Sequence, residues 1–382
     1  MNILLILPET TGTIASVSYN LFVGLSKMTN HNIIVAELSG KRIEGLPFGK
    51  IQSVTFEDKF ASKYLKNIYR IVFLRKIKKQ FDIDLAISTL IGCNICNAFS
   101  KGKDTTIAIF HTRLKQMRRL GFFYYHFHTL LLRLSYKKMD RIVAVNKTAQ
   151  KDLMKFAHRD DVELIYNIHL FDRIRTSAVE ELDNEVEKDL FLKPVILFVG
   201  HLFNVKAPDR LIQALSFIRN SFPETQVVLI GANSEHFKED VLDKIVEDNS
   251  LDNCVHYLGV KSNPYKYMSR CKLLVSPSRD EGLPGVIIEA LSLGTPVVTT
   301  NSSIGVWEIM GCEEHYQRDL SSLFFTDCGV ITPNTPDERF NVEKLSEGIC
   351  ALLKGEVKFK SFDCDKFKME NVISKFLGNR KV

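Results

Sequence analysis

Short apolar runs alternate with amphipathic segments along the chain. The first run, Ile3 to Leu7, is continuous, and a polar loop from Pro8 to Thr13 separates it from Ile14 to Met28, where apolar residues recur at helical spacing. A short apolar run of this kind is typical of a buried strand, and the longer periodic segment predicts a helix. Strand, glycine-containing loop and helix in this order open a nucleotide-binding unit.

The same alternation recurs in both halves of the chain. In the first half it predicts strands at 32–37, 85–88, 106–110, 141–145 and 161–166, with helices at 63–80 and 148–156. In the second half it predicts strands at 195–199, 226–230, 254–258, 272–276, 295–299 and 328–331, with helices at 208–217, 285–293, 342–353 and 367–377. Strands that alternate with helices predict an α/β fold.

The length of the chain predicts two domains. A chain of 382 residues exceeds what one hydrophobic core usually organises. The charged stretch from Glu180 to Lys188 lies between the two series of elements and indicates a linker. We therefore predict one Rossmann-like domain at 1–185 and another at 186–365.

Composition narrows the class of protein. With 45% hydrophobic and 25% charged residues the chain is an ordinary globular protein, and a net charge of +6 does not by itself imply a nucleic-acid partner. No apolar run is long enough for a membrane-spanning helix, and the first residues lack the basic leader of a signal peptide. The eight scattered cysteines fit a reducing compartment, so a cytoplasmic location is predicted.

The most informative stretch runs from Ser276 to Thr299. It carries two carboxylates eight positions apart, Glu281 and Glu289, and between them the turn Gly-Leu-Pro-Gly leads into a predicted helix. The N-terminus of a helix has free N–H groups and a partial positive charge, which suit a phosphate. Carboxylates accept hydrogen bonds from sugar hydroxyls. Together these features indicate a nucleotide-sugar site.

This stretch resembles a known signature. Glu-x7-Glu followed by Ala-Leu-Ser-Leu-Gly-Thr-Pro-Val-Val is similar to the motif of retaining glycosyltransferases with the GT-B fold, glycosyltransferase family four. The pattern covers nearly the whole chain and is most specific from about 195 to 300. The resemblance implies two Rossmann-like domains facing a central cleft. The first would bind the acceptor, the second would bind the nucleotide sugar, and a last helix at 366–382 would pack back toward the first.

The resemblance also implies which residues hold the donor diphosphate. The family pattern Gly-Arg-Leu-x-x-x-Lys-Gly aligns with the segment that starts at Gly200, where Lys206 matches the lysine. His201 replaces the arginine and Ala207 replaces the second glycine. A histidine can donate one hydrogen bond but is only partly charged near neutral pH. The free amides of the predicted helix N-terminus would complete the phosphate site, at Leu283, Pro284, Gly285 and Val286.

Further roles follow from the same resemblance. Glu281 would orient the donor sugar, and Glu289 would hold the ribose hydroxyls. Val260 and Lys261 would lie beside the base. In the first domain, Gly12 lies in the loop that the family places near the donor diphosphate and the acceptor.

His111 is a candidate catalytic residue of the first domain. It follows the predicted strand at 106–110, and a polar residue at the carboxyl end of a parallel strand faces the ligand crevice. A lone histidine is more often structural, but in the resembling enzymes this position contacts the donor sugar. Imidazole can donate or accept a proton near neutral pH. We expect His111, Lys206 and Glu281 to be catalytic.

No cofactor or divalent metal is implied by this reading. Asp82 and Asp84 have the spacing of a metal-binding Asp-x-Asp motif, but they lie at a helix-to-strand junction, where polar residues are ordinary. Cys93 and Cys96 form a close pair, yet no second pair follows at the spacing of a zinc site. The expected reaction is metal-independent, retaining transfer of a hexosyl or N-acetylhexosaminyl group. The donor would carry UDP, and the lipid-linked or oligosaccharide acceptor would belong to bacterial surface polysaccharide synthesis, as in O-antigen or capsule.

The segment from Arg113 to Lys138 mixes aromatic and basic residues. One interpretation is an interfacial patch for anionic lipid, which would place the protein peripherally on the inner face of the cell membrane. The other is a core helix with a solvated basic face. Nucleic acid is not an expected partner, because no reader motif accompanies these residues.

The sequence bears on three other functions. A nicotinamide dehydrogenase usually needs Gly-x-Gly-x-x-Gly, and this sequence contains no Gly-x-Gly. A sugar-nucleotide epimerase of the same two-domain architecture stays open as an enzyme alternative. A catalytically weak homologue that acts as a binding partner also stays open, on account of His201.

Overall fold

The structure is a computed structural model. It describes residues 1–8, 12–39, 51–57, 63–110, 122–234, 236–356, 359–360 and 362–378, and for 12–16, 51, 63–65 and 122–128 the backbone alone. By contacts the chain forms two compact units, Met1–His169 with Asp365–Val382, and Leu170–Cys364. The division at 169/170 assigns the predicted linker at 180–188 to the second unit.

The first unit has a seven-stranded parallel sheet in the order β3-β2-β1-β4-β5-β6-β7. The strands are β1 (Asn2–Leu7), β2 (Asn32–Glu37), β3 (Ile51–Thr55), β4 (Leu85–Thr89), β5 (Thr105–Phe110), β6 (Arg141–Ala144) and β7 (Val162–Leu164). The helices are α1 (Gly12–Met28), α2 (Lys63–Gln80), α3 (Ile91–Phe99), α4 (Phe122–Lys138), α5 (Lys147–Ala157) and, from the C-terminal segment, α14 (Met369–Leu377).

Helices cover both faces of this sheet. α2, α3, α4 and α5 pack side by side, while α1 packs against α14. The buried side chains of β1 and β4 to β6 are mostly apolar, with Ser88, Thr89 and Thr106 as the polar ones, as is expected of strands covered on both sides. Arg141 ties the C-terminal helix to the sheet, because its guanidinium donates to the Lys375 carbonyl at 2.7 Å and pairs with Glu163 at 2.6 Å.

The second unit repeats this architecture. Its strands are β8 (Val195–Val199), β9 (Gln226–Ile230), β10 (Val255–Gly259), β11 (Leu273–Ser276), β12 (Val297–Thr300), β13 (Phe324–Thr326) and β14 (Gly329–Thr332). They are ordered β10-β9-β8-β11-β12-β14-β13, all parallel except β13. The helices are α6 (Phe171–Ala178), α7 (Glu185–Leu190), α8 (Pro208–Ile218), α9 (Asp243–Asp248), α10 (Tyr265–Met268), α11 (Gly285–Ser292), α12 (Ile304–Met310) and α13 (Glu338–Leu353).

The core of the second unit lies between the sheet and two helices. α8 and α13 pack against each other and against alternate residues of β8, β9 and β11. α13 begins at Asp337, whose side chain accepts the Phe340 amide at 3.1 Å, an N-cap worth about 1 kcal/mol. This packing fixes the amino end of α8, which follows directly after the loop that carries Lys206.

The predicted α/β class with two Rossmann-like parallel-sheet domains is therefore confirmed. Most predicted elements agree with the structure within one or two residues. The pattern did not predict β3 or α6, whereas a helix expected to begin near Asn263 is present as α10. The predicted linker instead contains α7, where Asn184 caps the helix by accepting the Glu187 amide at 2.9 Å. Across the described residues, no helix is both long enough and apolar enough to cross a bilayer.

Candidate functional site

The order of strands in the second unit reverses between β8 and β11. In an open parallel sheet the loops at the carboxyl ends of the strands on either side of such a reversal form the ligand site. Here these are the loops 200–207, after β8, and 277–284, after β11. They contain Lys206 and Glu281, so the topology alone brings the two predicted residues to one edge of the sheet.

The loop after β8 is held close to the end of β9. Gly231 has φ +155, and a Cβ at this position would lie 1.8 Å from the Gly200 carbonyl oxygen. The Leu202 amide donates to the Ala232 carbonyl at 2.8 Å. Only a residue without a side chain allows this approach, and it directs the chain from Gly200 to Lys206 across the carboxyl edge of the sheet.

Ala207 has a left-handed backbone, with φ 53. This conformation costs a residue with a Cβ roughly 1 kcal/mol, and a glycine would adopt it freely. The residue is fully buried, and Pro208 starts α8 immediately after it. The glycine expected from the family pattern is therefore replaced by the smallest residue with a side chain, and the turn is retained.

Lys206 and Glu281 form an ion pair. Lys206 Nζ lies 2.6 Å from Glu281 Oε1, and Ser278 Oγ donates to the same oxygen at 2.8 Å. The Glu281 side chain is 10% exposed and the Lys206 side chain 31%. The carboxylate is thus the buried partner, and the ammonium group keeps part of its surface accessible to a ligand.

Arg279 joins the two loops. Its guanidinium binds both carboxylate oxygens of Asp209, at 2.6 and 3.1 Å, and donates to the Asn204 carbonyl at 2.5 Å. Its own backbone amide donates to the Val205 carbonyl at 2.8 Å. These four bonds hold the residues just before Lys206 against the residues just before Glu281.

A second arginine anchors the same region to α13. Arg210 is buried, and its guanidinium binds both oxygens of Glu338, at 2.7 and 2.9 Å, the Asn334 side chain at 2.9 Å and the Pro277 carbonyl at 3.2 Å. Glu338 also accepts from Arg279 at 3.2 Å. Hydrogen bonds from Arg210 hold the pKa of Glu338 below its usual range. Sequence reasoning missed this network, although adjacent charged residues on a buried helix start, Asp209 and Arg210, were a usable signal.

The turn after Glu281 ends in a helix that begins at Gly285. Within the described residues, the amides of Leu283, Gly285 and Val286 have no hydrogen-bond partner, whereas the Ile287 amide donates to the Pro284 carbonyl at 3.1 Å. Pro284 has no N–H, so three amides rather than four are available for an anion. The structure thus has a helix N-terminus at the predicted place.

Gly305 fixes the position of this turn. A Cβ on Gly305 would lie 2.1 Å from the Gly282 carbonyl oxygen, and Ser303 Oγ donates to that oxygen at 3.0 Å. The start of α12 therefore packs directly on the turn beside Glu281. No local sequence motif signals this contact.

Glu289 is a half-buried residue on α11. No hydrogen bond or ion pair among the described residues reaches its carboxylate, and burial raises its pKa to about 7. Burial, and next the charge of Glu289, raise the pKa of Tyr265, which begins α10. The partly buried carboxylate therefore keeps its accepting capacity for a ligand.

The other predicted residues of the second unit differ in their surroundings. His201 is exposed, and its ring packs edge-on against Phe203 with centroids 6.3 Å apart. Val260 is 72% exposed. Lys261 Nζ binds Asp183 and Glu187, each at 2.7 Å, so its charge is already matched by carboxylates.

This Lys261 cluster anchors α7 to the second unit. Lys266 and Tyr267 also bind Asp183, and hydrogen bonds from Lys261, Lys266 and Tyr267 hold the pKa of Asp183 well below its usual range. The cluster explains why contacts assign the predicted linker to the second unit. Contact of Val260 and Lys261 with a base stays a prediction.

Two predicted residues belong to the first unit. Gly12 begins α1 after the carboxyl end of β1. His111 follows Phe110, the last residue of β5, and lies outside the described residues. The same holds for much of 113–138, since 113–121 are not described and 122–128 have a described backbone only.

The Asp-x-Asp pair has structural partners. Asp84 accepts the Asn2 amide at 2.8 Å, and Asp82 pairs with Lys103 at 2.5 Å. Cys93 and Cys96 are buried free thiols on α3, and burial raises the pKa of both. Among the described residues, no group of three or more His, Cys, Asp or Glu side chains is placed to hold a metal ion.

The fold is similar to that of solved glycosyltransferases with the GT-B fold. The Anabaena protein Alr3699/HepE in complex with UDP matches with a TM-score of 0.70 over 100% of this chain and 95% of that chain, at 15% identity. The lipopolysaccharide outer core galactosyltransferase WaaB in its apo form matches with a TM-score of 0.68 over 99% of each chain, at 16% identity. At these identities the likeness shows the fold.

Sequence comparison finds a related family. Residues 183–358, almost the whole second unit, match the model of Glycosyl transferases group 1. The matched range contains the Lys206–Glu281 pair and the arginine network. The match agrees with the resemblance stated for the Glu-x7-Glu stretch.

Curated relatives are also glycosyltransferases. An uncharacterized glycosyltransferase of Methanocaldococcus jannaschii, MJ1059, is 25% identical over 71% of this chain and 68% of its own. The N-acetylgalactosamine-N,N'-diacetylbacillosaminyl-diphospho-undecaprenol 4-alpha-N-acetylgalactosaminyltransferase of Campylobacter jejuni is 31% identical over 48% of this chain. The chain spans about half the length of this second relative, 47%.

Proposed function

We propose that the protein is a retaining glycosyltransferase that moves a sugar from a nucleoside diphosphate donor to a lipid-linked glycan. UDP is the nucleotide that we propose for the donor. One observation carries the proposal. Lys206 and Glu281 form an ion pair at 2.6 Å, and Glu281 lies just before a helix N-terminus whose amides are free to bind a phosphate. A cation from one loop and the carboxylate and amides of the neighbouring loop are the groups that a sugar diphosphate requires.

The chemistry of transfer follows from where charge develops. As the bond between sugar and diphosphate breaks, the leaving diphosphate gains negative charge, and preorganised donors aimed at that charge are the largest catalytic effect available. Lys206 has three N–H donors. One can stay on Glu281 while the others reach phosphate oxygens, assisted by the amides of Leu283, Gly285 and Val286.

The carboxylates would orient the rest of the donor. Glu281, held by Lys206 and Ser278, has accepting capacity left for a hydroxyl of the donor sugar. Glu289 would accept hydrogen bonds from the ribose, which would replace the partner that its carboxylate lacks within the described residues. His201 would donate one hydrogen bond to the diphosphate, and His111 would contact the donor sugar.

The names of similar proteins support the choice of donor and acceptor. A solved structure with this fold contains UDP, and another contains UDP-glucose. The Campylobacter relative is named for transfer to a diphospho-undecaprenol-linked glycan. We therefore propose a UDP-sugar donor and a polyprenyl-diphosphate-linked acceptor, in the assembly of a bacterial surface polysaccharide such as O-antigen or capsule.

The test is a donor screen followed by a transfer assay. Purified protein is incubated with UDP- and GDP-sugars, with and without a polyprenyl-diphosphate-linked acceptor, and release of nucleoside diphosphate is measured. Acceptor-dependent release from one donor is expected, and NMR of the product gives the anomeric configuration. Failure to bind any nucleotide sugar would overturn the proposal.

His201 favours a second candidate function, donor binding without turnover. His201 stands where the family pattern has arginine, so less positive charge is available to stabilise the leaving diphosphate. A homologue that binds donor without turnover would show nucleotide binding and no release. An epimerase would convert the free nucleotide sugar without an acceptor, which the same screen detects.

A further inference from the structure

Residues 313–319 form a largely exposed segment between α12 and β13 in the second unit. Asn301, the residue that follows β12, binds this segment. Its side-chain amide donates to the carbonyl of Gln317 at 2.7 Å and to that of Arg318 at 3.1 Å. Its side-chain oxygen accepts the indole N–H of Trp307 at 2.8 Å. The 313–319 segment is therefore fixed to the carboxyl end of β12.

Aromatic contacts hold the same segment in place. The ring of Tyr316 packs edge-on against Trp307, with centroids 5.8 Å apart. Trp307 is fully buried and also contacts Phe324 of β13, and Leu320 is buried just after the segment. Side chains anchored on a buried indole lose little further freedom when a ligand binds, so the 313–319 segment is preorganised.

The 313–319 segment lies close to the turn before α11. Asn301, which binds the segment, is two residues from Ser303, a span of at most about 7 Å. Ser303 Oγ in turn donates to the Gly282 carbonyl at 3.0 Å. The segment and the turn whose amides would bind the donor diphosphate are therefore joined through one short loop, 301–303.

The order of strands places this segment away from the predicted position of the nucleotide. Val260 and Lys261, which are predicted to lie beside the base, come at the end of β10, on one side of the crevice between β8 and β11. β12, which is followed by Asn301, lies on the other side of that crevice. A nucleotide that extends toward β10 leaves the 313–319 segment open to a second substrate.

Three successive side chains of the segment have the chemistry that a charged glycan requires. Tyr316 is 37% exposed, and Gln317 and Arg318 beside it are exposed as well. An aromatic ring packs on the apolar face of a sugar, an amide bonds to hydroxyls, and a guanidinium binds a phosphate through two parallel hydrogen bonds. Within the described residues no carboxylate pairs with Arg318, so its charge is available.

We propose that Tyr316, Gln317 and Arg318 bind the acceptor of the transfer, with Arg318 on the diphosphate of a lipid-linked glycan. The inference rests on the proposed function and adds substrate-binding residues to it. The donor diphosphate has Lys206 and the amides of the turn. The acceptor diphosphate is separated from the reacting hydroxyl by at least one sugar, so its binding residue belongs beside the turn. Tyr316 packs on an acceptor sugar, and Gln317 bonds to its hydroxyls.

The first test uses geranyl diphosphate, which has the diphosphate of such an acceptor but no glycan. It is titrated calorimetrically into full-length protein saturated with UDP, so that the donor site is filled. Binding is expected, and Arg318→Gln should weaken it roughly tenfold to a hundredfold, the range for a lost hydrogen bond to a charged group. Arg318→Lys, which keeps the charge without the parallel bonds, should give an intermediate affinity. Arg339→Gln, whose parent side chain is 87% exposed on α13, is the matched control.

The sugar contact is tested in the transfer assay with the lipid-linked acceptor. Tyr316→Leu keeps an apolar contact with Trp307 and removes the ring, so the KM for the acceptor should rise about two- to tenfold while the KM for the donor stays within twofold. Phe325→Leu on β13, where the parent ring is 50% exposed, is the matched control and should change neither KM. Melting temperatures verify that each variant folds.

Two results would overturn the inference and leave the donor site intact. One is normal binding of UDP without any binding of geranyl diphosphate, and the other is equal affinity for geranyl diphosphate in Arg318→Gln and the unchanged protein. Weaker binding of UDP to Arg318→Gln would assign the guanidinium to the leaving diphosphate and would also contradict the inference. If UDP does not bind the unchanged protein, the proposed function fails and the inference fails with it.

Discussion

At the scale of single residues, the site is defined by which charges are paired and which are not. Glu281 is held by Lys206 and Ser278, whereas within the described chain Glu289 has no partner for its carboxylate. Removing one member of a pair leaves the other without its partner, so the effects of substitution should differ between the two glutamates.

Lys206→Ala should lower turnover about a hundredfold or more. The ammonium group is one charge-stabilising donor for the leaving diphosphate, and losing one such donor typically costs this much. The readout is kcat for release of nucleoside diphosphate, with Lys188→Ala, a lysine paired with Glu185 on the surface of α7, as the control. Turnover within threefold of the unchanged protein would remove Lys206 from the site.

Glu289 should make donor binding depend on pH. Its pKa of about 7 lies above the ordinary value because burial disfavours the charged form. Ribose hydroxyls bind the carboxylate better than the acid, so nucleotide affinity should rise as pH increases through 7. Calorimetric titration of the unchanged protein and of Glu289→Gln between pH 6 and 8 separates this effect from other pH-dependent contributions to nucleotide binding.

The same pKa has a consequence for stability. Between the ordinary carboxyl pKa and 7, the folded protein keeps a proton that the unfolded chain has lost, so this residue makes the free energy of unfolding fall as pH rises. Glu289→Gln should remove that slope. A pH dependence of binding or melting that is identical in the variant would show that Glu289 is not responsible.

At the scale of elements, the loops of the site are held by contacts distant in sequence. Arg279 reaches Asp209 and Arg210 reaches Glu338, across 70 and 128 positions. Apolar runs predicted β8 and β9 residue for residue and α2 from end to end, because burial on both faces or on one stripe leaves a local pattern. The arginine network leaves no local pattern in the sequence. Strand β3, with the sequence IQSVT, is too short and too polar to be predicted from an apolar run.

Arg279→Ala should lower turnover roughly ten- to a hundredfold without unfolding the protein. Its bonds position the Lys206 loop, and small displacements of a catalytic group are costly. Arg339→Ala, in an exposed pair with Glu343 on α13, is the matched control. Partial rescue by Arg279→Lys, which keeps the charge near Asp209, would support positioning, whereas unchanged kcat in Arg279→Ala would contradict it.

Gly305→Ala should both destabilise the second unit and reduce activity. The added Cβ would lie 2.1 Å from the Gly282 carbonyl oxygen and push the turn beside Glu281, and overpacking of this kind costs about 1–3 kcal/mol. Gly92→Ala on α3 is the control, since a Cβ there meets no atom within 4 Å. Equal melting temperatures and activities for the two variants would refute the account of this contact.

At the scale of the whole molecule, two Rossmann-like units were predictable because strand and helix patterns alternate throughout. The boundary between the two units was not predictable from the sequence. The charged stretch at 180–188 resembles a linker, but Lys261, Lys266 and Tyr267 bind it to the second unit. Lys261 was predicted from the family pattern as a neighbour of the base. Its ion pairs with Asp183 and Glu187 are long-range contacts that no local motif reveals.

The proposed reaction uses no divalent metal, because cation and amides would serve the diphosphate. Transfer should therefore continue in EDTA at the same rate, measured after the protein has been exchanged into metal-free buffer. Abolition by EDTA, with recovery on adding Mg²⁺ or Mn²⁺, would require a metal site and a different account of how the leaving group is stabilised.

The most direct test of the central claim is calorimetric titration of UDP into the unchanged protein and into Lys206→Ala. The account predicts that UDP binds the unchanged protein and that the lysine variant binds at least tenfold more weakly while its melting temperature stays close to that of the parent. Equal affinity in the two proteins, or no binding of UDP or GDP to either, would contradict a diphosphate site between Lys206 and the start of α11.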